Sequence, residues 1–194
     1  MTARSVACLL AVIALVMSGC SSLKGTGDKG YIAQDAAVRQ IPIDERDQPI
    51  DVSGTDLEGE AISLADLRGG VVVVNVWGSW CGPCEVEQPD LNEGAQETAG
   101  VAEFVGINIR DASVDNARSF VRNFDVSYPS IYDPDSQALL AFSAVIPVRS
   151  PPTTFVLDAE GRIAAVIVGA LPSVTTLVEI VEEIADETAG QSSG

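Results

Sequence analysis

The chain has 194 residues, 28 acidic against 11 basic side chains, no histidine and a formal charge of −17. A surface this acidic repels phosphate backbones, which argues against nucleic-acid binding, and its simplest meaning is solubility or a salty habitat. The length suits one domain able to bury a core without staples, taken to be a monomer.

Residues 1–20 carry one basic side chain, Arg4, then an apolar run over 6–17, then Ser18-Gly19-Cys20. The run is short for a bilayer span and has the layout of an export signal. Ser18-Gly19-Cys20 resembles the end of a bacterial lipobox, in which the cysteine takes a lipid; Met17 departs from it, since leucine is usual there. Lipidation at Cys20, an uncleaved signal anchor and ordinary cleavage are the three readings. All three put the domain outside the cytoplasm, and the first anchors it to the outer face of the bacterial cytoplasmic membrane. Residues 21–47 read as a tether, in which 36–40 form a short helix or nothing. About 25 flexible residues reach about 25–30 Å, which keeps the domain near membrane-bound partners.

Residues 50–54 and 61–63 predict a β-hairpin around Glu58-Gly59, followed by a helical turn over 64–67. Four valines, Val71 to Val74, bounded by Gly69-Gly70, read as a strand buried on both faces, the usual centre of a sheet. The strand leads into Trp80-Cys81-Gly82-Pro83-Cys84, and residues 85–93 are helix formers with acids in the first turn. Both cysteines thus sit where a strand turns into a helix. A thiol at a helix N-terminus faces unpaired N–H groups and the positive dipole end, which stabilise its thiolate. Cys81 is therefore the candidate nucleophile and Cys84, three residues on, the resolving thiol. Pro83 fits the first turn, where the N–H it lacks would have no partner.

Strand and helix then alternate: a strand over 103–109, a helix over 113–124 capped by Ser113, a short strand over 130–132, and a helix over 136–142. Strands over 154–158 and 163–168 and a helix over 173–187 complete a domain spanning 48–188. Residues 189–194 read as a disordered tail.

Of the four cysteines, Cys8 lies in the signal and Cys20 at its end, leaving Cys81 and Cys84 for the domain. Zinc would need two further ligands that the domain does not supply, so no metal or cofactor is expected. A purely structural bridge over so short a loop would be a weak staple.

The run from Val74 to Cys84 resembles the thioredoxin signature, and Val-Asn-Val-Trp-Gly-Ser-Trp-Cys resembles its extracytoplasmic TlpA/ResA branch. Residues 57–69 match that branch's leading hairpin, and Pro152-Thr153-Thr154-Phe155-Val156-Leu157-Asp158 its cis-proline strand. The likeness covers roughly residues 48–187. It implies an α/β thioredoxin-like fold: a central mixed sheet flanked by helices, an N-terminal hairpin and a helix-strand insertion. It also implies a thiol-disulfide oxidoreductase whose Trp80, Gly82, Pro83, Pro151, Pro152 and Thr153 shape the site around Cys81 and Cys84. Pro152 is expected to be cis. Pro151 lacks the backbone N–H that the branch offers to substrate, so substrate would pair through its carbonyl alone. Asn75 stands where thioredoxin has a buried acid, and Glu87 where the branch places a glutamate. Glu87 has two readings, a carboxylate that tunes the thiol pKa values or a solvated residue of the first helical turn. Trp77 reads as core or sheet edge, and Arg149 as a surface arginine. By the same resemblance the partners are disulfide-containing proteins such as apocytochrome c and a CcdA-type membrane electron donor. Formation of disulfides in exported proteins is the alternative, and a non-catalytic binding module the third reading.

Overall fold

A computed structural model describes residues 32–33, 36–143, 145 and 150–191. The expected signal, Cys20 and Arg149 lie outside them. Among the described residues, strands β1 (Ile32–Ala33), β2 (Ala36–Gln40), β3 (Ser53–Thr55), β4 (Ala61–Ser63), β5 (Val71–Trp77), β6 (Ala102–Ile109), β7 (Ser130–Asp133), β8 (Thr153–Leu157) and β9 (Ile163–Val168) are joined by three α-helices. The helices are α1 (Gly82–Glu97), α2 (Val114–Asn123) and α3 (Val174–Gln191).

The central sheet has the order β1-β2-β9-β8-β5-β6-β7, and β3 and β4 pair separately as the hairpin. Strands β5, β6 and β7 are parallel, with α1 and α2 as their crossovers, whereas β8 pairs antiparallel with β5 and β9 antiparallel with β8. The fold is the mixed, helix-flanked sheet that the thioredoxin-like resemblance implies.

Every residue of β5 is buried. The side-chain period of two sends Val72, Val74 and Val76 into one core layer with Phe155, Leu157 and Phe142, and Val71 and Val73 into another with Leu91, Leu177 and Val181. An unbroken valine run therefore needs apolar cover on both sides. The first layer is closed by the hairpin region and by a 3-10 segment, Ala138–Phe142, whose Phe142 ring stacks on Phe155 at 4.5 Å.

Four expectations change. Residues 36–40 are neither helix nor tether: they form β2, paired with β9 from Ala37↔Val168 to Gln40↔Ala165. Ile41 is buried, and the Arg46 side chain, 3% exposed, is ion-paired with Asp158 (3.1 Å) and Glu187 (2.6 Å). The folded unit thus begins well before residue 48. The pairing uses backbone groups on the open edge of β9; Val38 packs inward while Ala37, Arg39 and Gln40 are exposed, too short a pattern to mark a strand. Ser113 holds the N-cap position of α2 without a side-chain cap bond. The segment read as a helix over 136–142 is 3-10 and starts at Ala138, because Ser136 has φ 58. Helix α3 runs to Gln191, into the stretch expected as tail.

Candidate active site

Strand β5 ends at Trp77, and the chain turns through Gly78-Ser79-Trp80 into α1. Cys81 is the N-cap of that helix, and its Sγ accepts the Cys84 N–H at 3.3 Å. The two cysteines form a disulfide, S–S 2.04 Å, and are 4% and 1% exposed. Gly82 and Pro83, between them, are exposed. The sulfur at the cap position faces the unpaired amides of the first turn, the environment in which a thiolate is favoured.

The register pairs Thr153 with Val76, so the start of β8 lies beside the strand end that carries the cysteines. The Pro151–Pro152 bond there is cis. Pro152 is buried, and its carbonyl accepts the Gly169 N–H at 3.1 Å; Pro151 is half-buried. The Thr153 hydroxyl donates to the Ser150 carbonyl at 3.2 Å.

Glu87, one helical turn past Cys84, is 2% exposed, so it is not a solvated first-turn residue. Its carboxylate accepts the Asn75 amide at 3.0 Å and the Leu171 backbone N–H at 2.9 Å. Burial pushes its pKa up to about 7, against the pull of those two bonds and with a small upward push from Asp90. Asn75 also donates to the Thr154 hydroxyl at 3.1 Å, while its own Oδ1 is buried without a partner. Tyr128, buried and bonded to Gln88, is held far above its usual range by burial. A buried carboxylate that titrates near neutrality, on the same helix face as Cys84, can take a proton from a thiol and give it back.

Trp80 is 50% exposed, its indole N–H on the Ile109 carbonyl at 3.2 Å. Trp77 is core: it packs on Phe120 at 4.5 Å and donates to the Ser130 hydroxyl at 3.1 Å. Gly106 makes room for that bond, since a Cβ there would lie 2.1 Å from Ser130 Oγ and 2.6 Å from Trp77 Nε1. Sequence reasoning missed Thr154 and Leu171 as partners of the Asn75–Glu87 pair, and also Asp111. Asp111 accepts the Ser79 N–H at 3.0 Å, the Ser79 hydroxyl, and the Asn108 amide at 2.6 Å. Only tertiary pairing brings these groups together; the one local signal was a polar Asn108-x-x-Asp111 at the end of a buried strand.

Comparison with known proteins agrees with this geometry. ResA, a thiol-disulfide oxidoreductase of Geobacillus thermodenitrificans, is 35% identical over 119 residues, which are 60% of this chain and 65% of ResA's length. The thioredoxin-like protein YneN of Bacillus subtilis is 32% identical over 140 residues, 71% of this chain and 79% of YneN. Among solved structures, a DsbF homologue from Corynebacterium diphtheriae matches with TM-score 0.70 and 33% identity, covering 85% of this chain and 99% of that one. A secreted thiol-disulfide isomerase from Corynebacterium glutamicum matches with TM-score 0.72 and 32% identity over 86% and 96% of the two chains. Since the Redoxin family matches residues 44–181, most of the chain and all of the site just described, this protein belongs to the Redoxin family, as a ResA/TlpA-like member with a thioredoxin-like fold.

Proposed function

We propose that this chain is an extracytoplasmic thiol-disulfide oxidoreductase acting on disulfide-containing proteins. The observation that carries the reading is the Cys81–Cys84 disulfide at the N-terminus of α1, with the buried Glu87 one turn behind it. In the reductive direction the Cys81 thiolate attacks a substrate disulfide, forming a mixed disulfide and releasing one substrate thiolate. Cys84 passes its proton to Glu87 and attacks Cys81 Sγ, which closes the internal disulfide and releases the second thiolate. The substrate gains two electrons, and its two thiolates take up protons. The same steps in reverse oxidise a dithiol. Trp80, Gly82 and Pro83 form the exposed rim, and Pro151, Pro152 and Thr153 the strand against which an extended substrate would pair.

Reduction is the direction we assign from the TlpA/ResA resemblance of residues 74–84, with apocytochrome c as substrate class and a CcdA-type membrane donor supplying electrons. Isomerisation or disulfide formation is the second reading, favoured by the secreted isomerase, which is matched over nearly its whole length. Membrane attachment through a lipid on Cys20 rests on the lipobox-like Ser18-Gly19-Cys20 of the sequence alone.

The deciding measurement is the reduction potential of the chain lacking residues 1–23. A value at or below that of thioredoxin, about −270 mV, supports reduction, and one approaching about −120 mV supports disulfide formation. A pair that never exchanges would leave a static bridge. In a complex trapped with Cys84→Ser, substrate is expected to pair with residue 151 through its carbonyl alone; a donated N–H bond is impossible at proline, so pairing displaced to another residue would overturn the assigned docking strand.

A further inference from the structure

The redox motif is held from outside by the turn that follows β6. The Ile109 carbonyl accepts the Trp80 indole N–H, and the Asp111 carboxylate takes the Ser79 N–H and hydroxyl. Between these two anchors lies Arg110, with φ 55, a left-handed conformation that a side-chain-bearing residue adopts at a cost. That backbone presents an exposed guanidinium over the Trp80 ring, 4.8 Å from its centroid. Gly78 leaves the space the ring needs, since a Cβ there would lie 2.7 Å from the indole nitrogen. Arg46, Arg68, Arg118 and Arg162 are each paired with carboxylates. Among the described residues, no carboxylate pairs with Arg110. Stacking uses the face of the guanidinium and leaves the N–H groups on its edge to bind, and that edge matches a carboxylate with two parallel hydrogen bonds.

We propose that Arg110, stacked on Trp80, is a specificity determinant that selects disulfide partners carrying an aspartate or glutamate beside the cysteine under attack. The inference rests on the thiol-disulfide exchange reading and names its substrate class. A chain of formal charge −17 repels acidic partners at long range, so a fixed cation at the redox rim is what admits them at contact. The short sequence distance from Arg110 to the Asp111–Ser79 anchor keeps that cation beside the motif.

The test uses the reduced protein and two disulfide peptides that differ only in Asp or Lys beside the attacked cysteine. Each rate is divided by the same variant's rate with the neutral disulfide dithiodipyridine, so that a general loss of exchange cancels. The native protein is expected to favour the Asp peptide about 5–10-fold at low ionic strength, less at about 0.5 M salt. Arg110→Gln should erase the preference, Arg110→Glu reverse it, and Arg110→Lys keep part of it. An unchanged ratio in Arg110→Gln, or no preference in the native protein, would show a solvated surface arginine and overturn the proposal while leaving the exchange reading intact. A native protein inert toward dithiodipyridine would sink the exchange reading, and this proposal with it.

Discussion

Glu87 shows how one residue's environment sets its chemistry. In the unfolded chain its carboxyl titrates near 4.5, and in the fold near 7, with burial as the cause. Between those values the native state holds a proton that the unfolded state has lost, so this residue's contribution to stability falls as pH rises through the window. The shift corresponds to about 3 kcal/mol. Glu87→Gln should therefore flatten the profile: the stability difference between native and variant, from urea titrations at pH 4.5 and 7.5, should change by about that amount, the variant gaining at the higher pH. Asn75 is bound to the same proton. Leu171 offers only a backbone N–H, so of its two observed hydrogen-bond partners only Asn75 can accept from a protonated Glu87, and only by turning toward it the Oδ1 that now has no partner. The Asn75 amide is thus expected to turn end for end as Glu87 takes up its proton, with the Thr154 hydroxyl changing from acceptor to donor. In an amide NMR titration its side-chain resonances should move with the Glu87 midpoint, and Glu87→Gln should hold the acid-form pattern at every pH. Resonances that ignore the titration would remove Asn75 from proton handling. Other groups coupled to Glu87 are Asp90, which raises its pKa slightly, and Tyr128, which stays neutral.

At the scale of elements, the N-terminal segment is the structural surprise. Strand β2 covers the edge of β9, and the Arg46 side chain ties this segment to Asp158, at the end of β8, and to Glu187 on α3. Asp158 also accepts the Arg162 guanidinium at 2.9 Å, in the tight turn around Gly161, where φ is 83. Removing Arg46 would leave that buried carboxylate half-paired, and Arg46→Ala is expected to cost about 3 kcal/mol, measured by denaturant unfolding. A chain begun at residue 48 loses β2 and Arg46 together and bares a β edge; it should be less stable and should self-associate, visible by gel filtration, whereas one begun at residue 24 should not.

The whole molecule carries 28 acids against 11 bases, and among the described residues most acids outside the ion pairs are exposed or half-buried. Self-repulsion then opposes the compact state, and raising sodium chloride from about 0.05 to about 0.5 M should raise the melting temperature by several degrees. A flat melting temperature would mean that the acids are spaced widely enough to be screened already.

The sequence by itself determined the central strand, the cysteine motif and the order of the elements from residue 50 to 187, because these rest on local signals: a valine run, a strand-to-helix turn and repeating periods of two and 3.6. It marked Asn75 and Glu87 without saying what either touched. Only the tertiary structure decided that Glu87 is buried and bonded to Asn75 and Leu171, that Arg110 lies over Trp80, and that residues 36–46 belong to the fold. Each of these joins groups remote in the chain through a hydrogen bond, a stacked cation or an ion pair, interactions that leave no period in the residues that make them.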